Sequence, residues 1–167
     1  FNRSARDVTL ARLLQFGIAP ALKQNFEEIQ RAPYIIRLLL VELDHESNPT
    51  FFRINYDGHW ETFKKGTVIA GNEKVMGWIQ KEIQELPFAT FTLDKALEEV
   101  CRLWTESKNQ EDEDGENDEN NNFPKTLKEV FDQWYLEGAV LLGKVERRAI
   151  YRALTKEEIE KLKTSVG

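Results

Sequence analysis

The chain predicts an α/β (α+β) fold: a five-stranded antiparallel sheet covered by helices. Three observations lead there. Tyr34-Ile35-Ile36-Arg37-Leu38-Leu39-Leu40-Val41 is an apolar run rich in branched residues, bounded by Pro33 and by the polar stretch 44–49. Such a run reads as a buried strand followed by a turn. Asp57-Gly58 separates two further strand-like runs and is a strong hairpin signal, with both turn residues expected at positive φ. Segments 72–87 and 92–107 then repeat apolar residues at helical spacing, which supplies a two-helix layer to pack on the sheet.

The elements follow in order. Asp7 is the expected cap of a first helix whose apolar positions are Leu10, Leu13, Leu14 and Ile18. Pro20 should kink it by clashing with the carbonyl of Phe16, and Leu22, Phe26 and Ile29 continue the pattern beyond. Strands are expected over 34–41, 51–56 and 60–70, with Gly66 marking a bulge in the third. Asn72 caps the next helix, which carries Val75, Trp78, Ile79, Ile83 and Leu86 in one stripe and stops at Pro87. Thr92 caps a helix presenting Leu93, Ala96, Leu97, Val100, Cys101 and Trp104 on one face. Thr126 and Glu129 form a capping box ahead of Leu127, Val130, Phe131 and Trp134. Residues 138–147 and 149–154 pair as a hairpin. Thr155 and Glu158 form a second capping box, with Leu154 and Ile159 as the staple.

Composition bounds the function. A chain of 167 residues with 41% apolar residues and eighteen aromatics has enough to build one folded domain over 1–167. No apolar run approaches the roughly 20 residues that span a bilayer, and no basic, apolar, small-residue leader suggests secretion. Phe1 in place of Met is expected to mark a cropped or processed chain. The lone Cys101 has no partner for an internal disulfide. Residues 108–123 read as an acidic, disordered insertion, because 111–122 hold seven acidic and no basic residues. Without those seven charges the net −6 becomes +1, so the body is nearly neutral. Neither nucleic acid nor a membrane surface is an expected partner. The acidic tract lacks the alternating ligands and the closing glutamate of a calcium loop.

Several segments in this order resemble the second half of a proteasome α-type subunit. They are Pro33-Tyr34 with Leu38-Leu39-Leu40-Val41, then Phe52-Arg53-Ile54-Asn55-Tyr56-Asp57-Gly58, then Thr67-Val68-Ile69-Ala70-Gly71. Leu93-Asp94-Lys95-Ala96 is similar to the family's opening of the following helix. Arg152-Ala153-Leu154-Thr155-Lys156-Glu157-Glu158-Ile159-Glu160-Lys161-Leu162 resembles its closing segment. The likeness covers the C-terminal two-thirds of such a subunit. It implies a proteasome-subunit-like four-layer sandwich of the N-terminal-nucleophile hydrolase fold, incomplete at the N-terminus. It further implies a hetero-oligomeric assembly with other protein subunits in the cytoplasm or nucleus. Gly77 falls where the family prefers a small residue for close helix approach. Arg37 inside the first strand, the acidic insertion and the helix 126–136 depart from the family pattern.

Catalytic residues are not expected. Hydrolases of that fold use the side chain of an N-terminal Thr, Ser or Cys, helped by its own α-amine. Phe1 offers no nucleophile, and Ser4 sits in what reads as an ordinary helix lead-in. The stretch Tyr135-Leu136-Glu137-Gly138-Ala139-Val140 has neither the Ser nor the paired glycines that the resemblance would require. His45 and His59 fall in separate turns, and Cys101 lies on an apolar helical stripe, so neither a catalytic pair nor a metal set is expected. No cofactor is expected. Trp78 and Trp104 are the candidate interface aromatics, on helices that in the family face other subunits. Three functions are consistent with these residues. One is a non-catalytic structural subunit of a proteasome-like particle. Another is a divergent interaction or scaffold module in a different complex. The third is half of an N-terminal-nucleophile hydrolase whose nucleophile lies elsewhere.

Overall fold

A computed structural model of the chain describes residues 8–30, 32–112, 126–133, 135–143 and 151–166. It is a mixed helix-and-strand protein with small antiparallel sheets. Two compact units divide it, Phe1–Ile69 and Ala70–Gly167.

The first unit is one helix on one sheet. Thr9 caps the helix, its Oγ1 accepting the Arg12 N–H at 3.3 Å, and the Asp7 expected in that role lies outside the described residues. Helix α1 (Leu10–Leu13) runs through a π-helical turn (Leu14–Ile18) into α2 (Ala19–Glu27). A π-helical turn stands immediately ahead of Pro20, at the place where the sequence predicts a kink. Proline has no N–H for an i−4 bond and its ring crowds that carbonyl. Widening the turn instead lets the Ala19 N–H reach back to the Leu14 carbonyl, the five-residue spacing of a π bulge.

Strands β1 (Leu38–Leu43), β2 (Pro49–Ile54) and β3 (Trp60–Phe63) form an antiparallel meander with β2 in the centre. Opposite Leu38 and Leu40 stand Ile54 and Phe52, and Trp60 faces Ile54 from the other side. These residues make one sheet face, and with Leu14, Ala19 and Leu22 of the helix they form the core. Leu14 and Ile54 are wholly enclosed. The helix is also tied to β1 through its free end: the Leu10 N–H lies 3.2 Å from each carboxylate oxygen of Glu42. That satisfies one of the donors every helix start leaves open.

Both hairpin turns share one design. Ser47 N–H donates to the Asp44 carbonyl and Asp44 N–H to the Asn48 carbonyl, while Gly58 N–H donates to Asn55 O and Asn55 N–H to His59 O. Each is a three-residue loop with a left-handed residue in third place, Ser47 at φ 70° and Gly58 at φ 82°. The expectation of positive φ at Asp57 as well is therefore corrected: the longer loop needs it only at Gly58. Asp57 instead turns its carboxylate onto the His59 N–H at 2.9 Å.

Strand boundaries differ from those expected. Residues 34–36 are not in β1 and not buried; Tyr34 and Ile35 are exposed, with the Tyr34 N–H held by Asn25 Oδ1 at 2.7 Å. The third strand stops at Phe63 rather than running to Ala70. Its register explains why. With Phe51 opposite Phe63, Lys65 would face Pro49, which has no N–H, and Gly66 would face the Asn48 turn, so β2 is exhausted. Gly66 thus lies beyond the strand and makes no bulge in it. Ile29, expected to extend the helical stripe, follows the helix end and is fully exposed.

In the second unit, α3 (Glu73–Glu85) packs on α4 (Leu93–Asp112), and α4 packs also on α6 (Lys156–Val166). Asn72 caps α3, accepting from the N–H groups of Lys74 and Val75 at 2.8 and 3.3 Å. A short 3-10 turn, Phe88–Thr90, follows Pro87, and Thr92 Oγ1 accepts the Lys95 N–H at 3.3 Å. Val75, Ile79 and Ile83 are buried on α3, Cys101 and Leu103 on α4, and Leu162 on α6. Because α4 has neighbours on two sides, its buried arc is wider than the single stripe expected. It takes in Leu103, which that stripe omitted, while Val100 is half exposed. Helix α4 also runs on to Asp112, so the acidic insertion does not begin at residue 108. Nothing in 108–112 breaks a helix, and continuing one costs far less than starting it. The rest of the expected insertion lies outside the described residues, apart from its helical start.

Helix α5 (Leu127–Gln133) begins at the expected capping box, with Thr126 and Glu129 exchanging two 3.3 Å bonds. Strands β4 (Ala139–Leu141) and β5 (Tyr151–Ala153) pair antiparallel, extended by the Leu154 N–H donating to Gly138 O. The described strands thus form sheets of three and two strands rather than one sheet of five. Neighbouring 144–150, like Trp134, lie outside the described residues.

Candidate interaction surfaces

The two candidate tryptophans are half-buried on different helices of the second unit. Trp78 lies on α3 and Trp104 on α4. Neither belongs to the fully buried core set. The Lys108 ammonium stands 5.3 Å from the centre of the Trp104 ring, a cation–π contact at the surface. Around it α4 carries a ladder of ion pairs. Lys95 reaches Glu99 at 2.8 Å, Arg102 reaches Glu99 at 2.7 Å, and Arg102 also reaches Glu106 at 2.6 Å. The Lys95 ammonium, then Arg102, holds the Glu99 carboxyl below the usual carboxylate range. Gly77, expected to admit a close neighbour, instead faces open space: a Cβ there would meet nothing within 4 Å.

The groups considered for chemistry are dispersed. His45 and His59 sit in the two hairpin turns at opposite ends of β2. Cys101 is buried on α4, and burial pushes its thiol up, which disfavours the thiolate. Ser4 lies outside the described residues. Among the described residues no cluster of three or more His, Cys, Asp or Glu is placed to hold a metal, and no helix is long and apolar enough to cross a membrane. A shallow surface depression is lined by Pro20, Lys23, Gln24, Glu27 and Glu28.

Two side-chain clusters among the described residues centre on arginines, Arg53 and Arg152, whose pairing the sequence patterns did not single out. Arg53, nine-tenths buried on the sheet face opposite the helix, donates through Nε and Nη2 to Glu61 Oε2 at 3.2 and 2.6 Å. Its Nη1 donates to the Val68 carbonyl at 3.2 Å, and its guanidinium stacks 5.1 Å from the centre of the Phe63 ring. It thereby straps residues 64–68 across that face after β3 ends. Glu61 stands directly opposite Arg53 in the β2–β3 register, so the turn alone was enough to pair them.

The second cluster joins β5 to α6. Arg152 makes a bidentate pair with Glu158, at 2.9 and 2.8 Å. The same carboxylate accepts the Thr155 N–H at 2.8 Å, and Thr155 Oγ1 accepts the Glu158 N–H at 3.2 Å. The Arg152 guanidinium, with the Thr155 N–H behind it, lowers the Glu158 carboxyl to about 2. Lys161 and Asp94 add an ion pair from α6 to the start of α4.

A lowered carboxyl stabilises the fold where it is ionised in both states and loses that contribution as pH falls through the folded value. Stability owed to Glu158 is therefore full above about 4.5 and lost between there and about 2. Glu99 and Asp44 are shifted the same way, so wild-type acid unfolding sums several groups. The difference between wild type and Glu158→Gln isolates one of them. Thermal melts from neutral pH down to pH 2 should show the two curves converging in that window. Parallel curves throughout would mean that the pair contributes nothing, as happens for many exposed ion pairs.

Compared with protein-family models, characterised proteins and solved structures, the chain matches none.

Proposed function

We propose that the chain is a non-catalytic structural subunit of a proteasome-like particle, acting through contacts with other protein subunits. The observation that carries this reading is the β5–α6 joint. The segment resembling the closing part of an α-type subunit, Arg152 to Leu162, is one physical device in which Arg152, Thr155 and Glu158 each hold another member and Leu162 is buried. The order of a strand pair, a Gly58 hairpin and then two packed helices supports the same reading. On it, the complete subunit is a four-layer sandwich, the α3–α4 pair faces neighbouring subunits, and the assembly works in the cytoplasm or nucleus. Exposed Phe16, Tyr34 and Ile35 support a molecule that is covered by a partner chain.

A second reading, a scaffold module of another complex, is favoured by one specific feature. Residues 67–70 form no strand, where the resembled family places one. Native mass spectrometry of the tagged protein purified from its own cells separates the readings. A large ring-sized particle containing several related chains is the expected result. A small defined heteromer would transfer the proposal to the scaffold module. A stable monomer would overturn both, and turnover of peptide substrates by the purified species would favour half of a hydrolase.

A further inference from the structure

The geometry points to Asp57-Gly58 as a latent isoaspartate site that the folded hairpin protects and that, once converted, bars refolding of the first unit. In an Asp-Gly pair the glycine amide nitrogen attacks the aspartate side-chain carbonyl carbon. A C–N bond forms, the carboxyl C–OH bond breaks, and one water leaves, giving a succinimide. Water then opens the ring at either carbonyl, returning aspartate or leaving an isoaspartate whose main chain is one carbon longer. No oxidant or other reactant is needed, and glycine offers the attacking nitrogen no steric shield.

In the native turn both reacting groups are engaged elsewhere. The Gly58 N–H donates to Asn55 O at 3.0 Å, and Asp57 Oδ1 accepts the His59 N–H at 2.9 Å. Attack requires breaking both bonds and rotating a residue that the hairpin holds. The turn is also docked: a carbon added at Gly58 would come within 2.5 Å of the Ala19 carbonyl oxygen and 3.1 Å of Lys23 Cβ. The Gly58 backbone therefore lies close against the helix, and lengthening the main chain between 57 and 58 moves it off that fit. The longer chain also displaces Gly58 from the φ of 82° that closes the loop. Each excursion to an open state thus carries a chance of permanent loss, and isoaspartate at 57 records how often the hairpin has opened.

The test ages the full chain in neutral buffer and in denaturing urea. Isoaspartate at position 57 is located by peptide mass spectrometry, and a synthetic peptide spanning 54–60 sets the intrinsic rate in each solvent. Relative to the peptide, the folded chain should convert at least about tenfold more slowly, because conversion is limited to the open population. The urea-aged chain should match the peptide. Chains converted in urea and returned to buffer should lack the native melting transition of the first unit. Equal rates in the folded chain and the peptide would overturn the protection. Converted chains that regain the unmodified melting temperature would overturn the block to refolding.

Discussion

Gly58→Ala is expected to destabilise the protein by about 2–5 kcal/mol, whereas Gly77→Ala is expected to stabilise it by about 0.5–1 kcal/mol. The same methyl group has opposite effects because the two glycines meet opposite surroundings. At Gly58 a side chain must adopt a left-handed φ of 82°, which costs about 1–2 kcal/mol for an L-residue. It must also displace the Ala19 carbonyl, a backbone atom of the helix that covers the core, from 2.5 Å. Backbone does not step aside as a side-chain tip would, so overpacking adds about another 1–3 kcal/mol. At Gly77 the backbone is helical and a Cβ meets nothing. There alanine simply removes chain entropy from the unfolded state. Chemical denaturation of the two variants beside wild type measures both signs. Equal midpoints for Gly58→Ala and wild type would show that the hairpin does not rest on the helix in solution.

Much of the fold was legible where a few adjacent residues decide the outcome. Asn72, Thr92, Thr126 with Glu129 and Thr155 with Glu158 all cap where their spacing placed them, because a cap is a bond between residues two or three apart. Strand ends were not legible, because they depend on a partner's length. The run 67–70 is as strand-like as 51–54, yet it has no β2 residue left to pair with. The run 34–36 is apolar enough for a core and lies outside one. Helix faces failed in the same way. The periodicity of α4 predicts one stripe, and contact with both α3 and α6 buries two. Arg53 was invisible to hydropathy because its burial depends on Glu61, Phe63 and the Val68 carbonyl converging on it. As for a site, the sequence marks Trp78 and Trp104 only as aromatics on helices. Their half-buried positions fit a contact role without pointing to one partner.

Leu103→Asp is expected to unfold the second unit, and Val100→Asp to leave it folded. Leu103 is 3% exposed on the helix that both α3 and α6 rest against. Removing its side chain from the core costs about 2–5 kcal/mol, and desolvating the new carboxylate adds to that. A domain holds only about 5–15 kcal/mol in total, so the sum consumes most or all of it. Val100 lies one turn back on α4 and is 54% exposed, so an aspartate there stays hydrated and shifts stability by roughly 0.5 kcal/mol or less. Circular dichroism melts should therefore show Leu103→Asp without a cooperative transition at ambient temperature and Val100→Asp close to wild type. The pair also bears on the proposed role. If the α3–α4 layer faces other subunits, Val100→Asp places a charge in that contact while leaving the subunit intact. Partner chains should then fail to co-purify with a variant whose own melting temperature is unchanged. Retention of every partner by folded Val100→Asp would remove this part of α4 from the assembly contact, since Leu103→Asp alone cannot distinguish a lost interface from a lost fold.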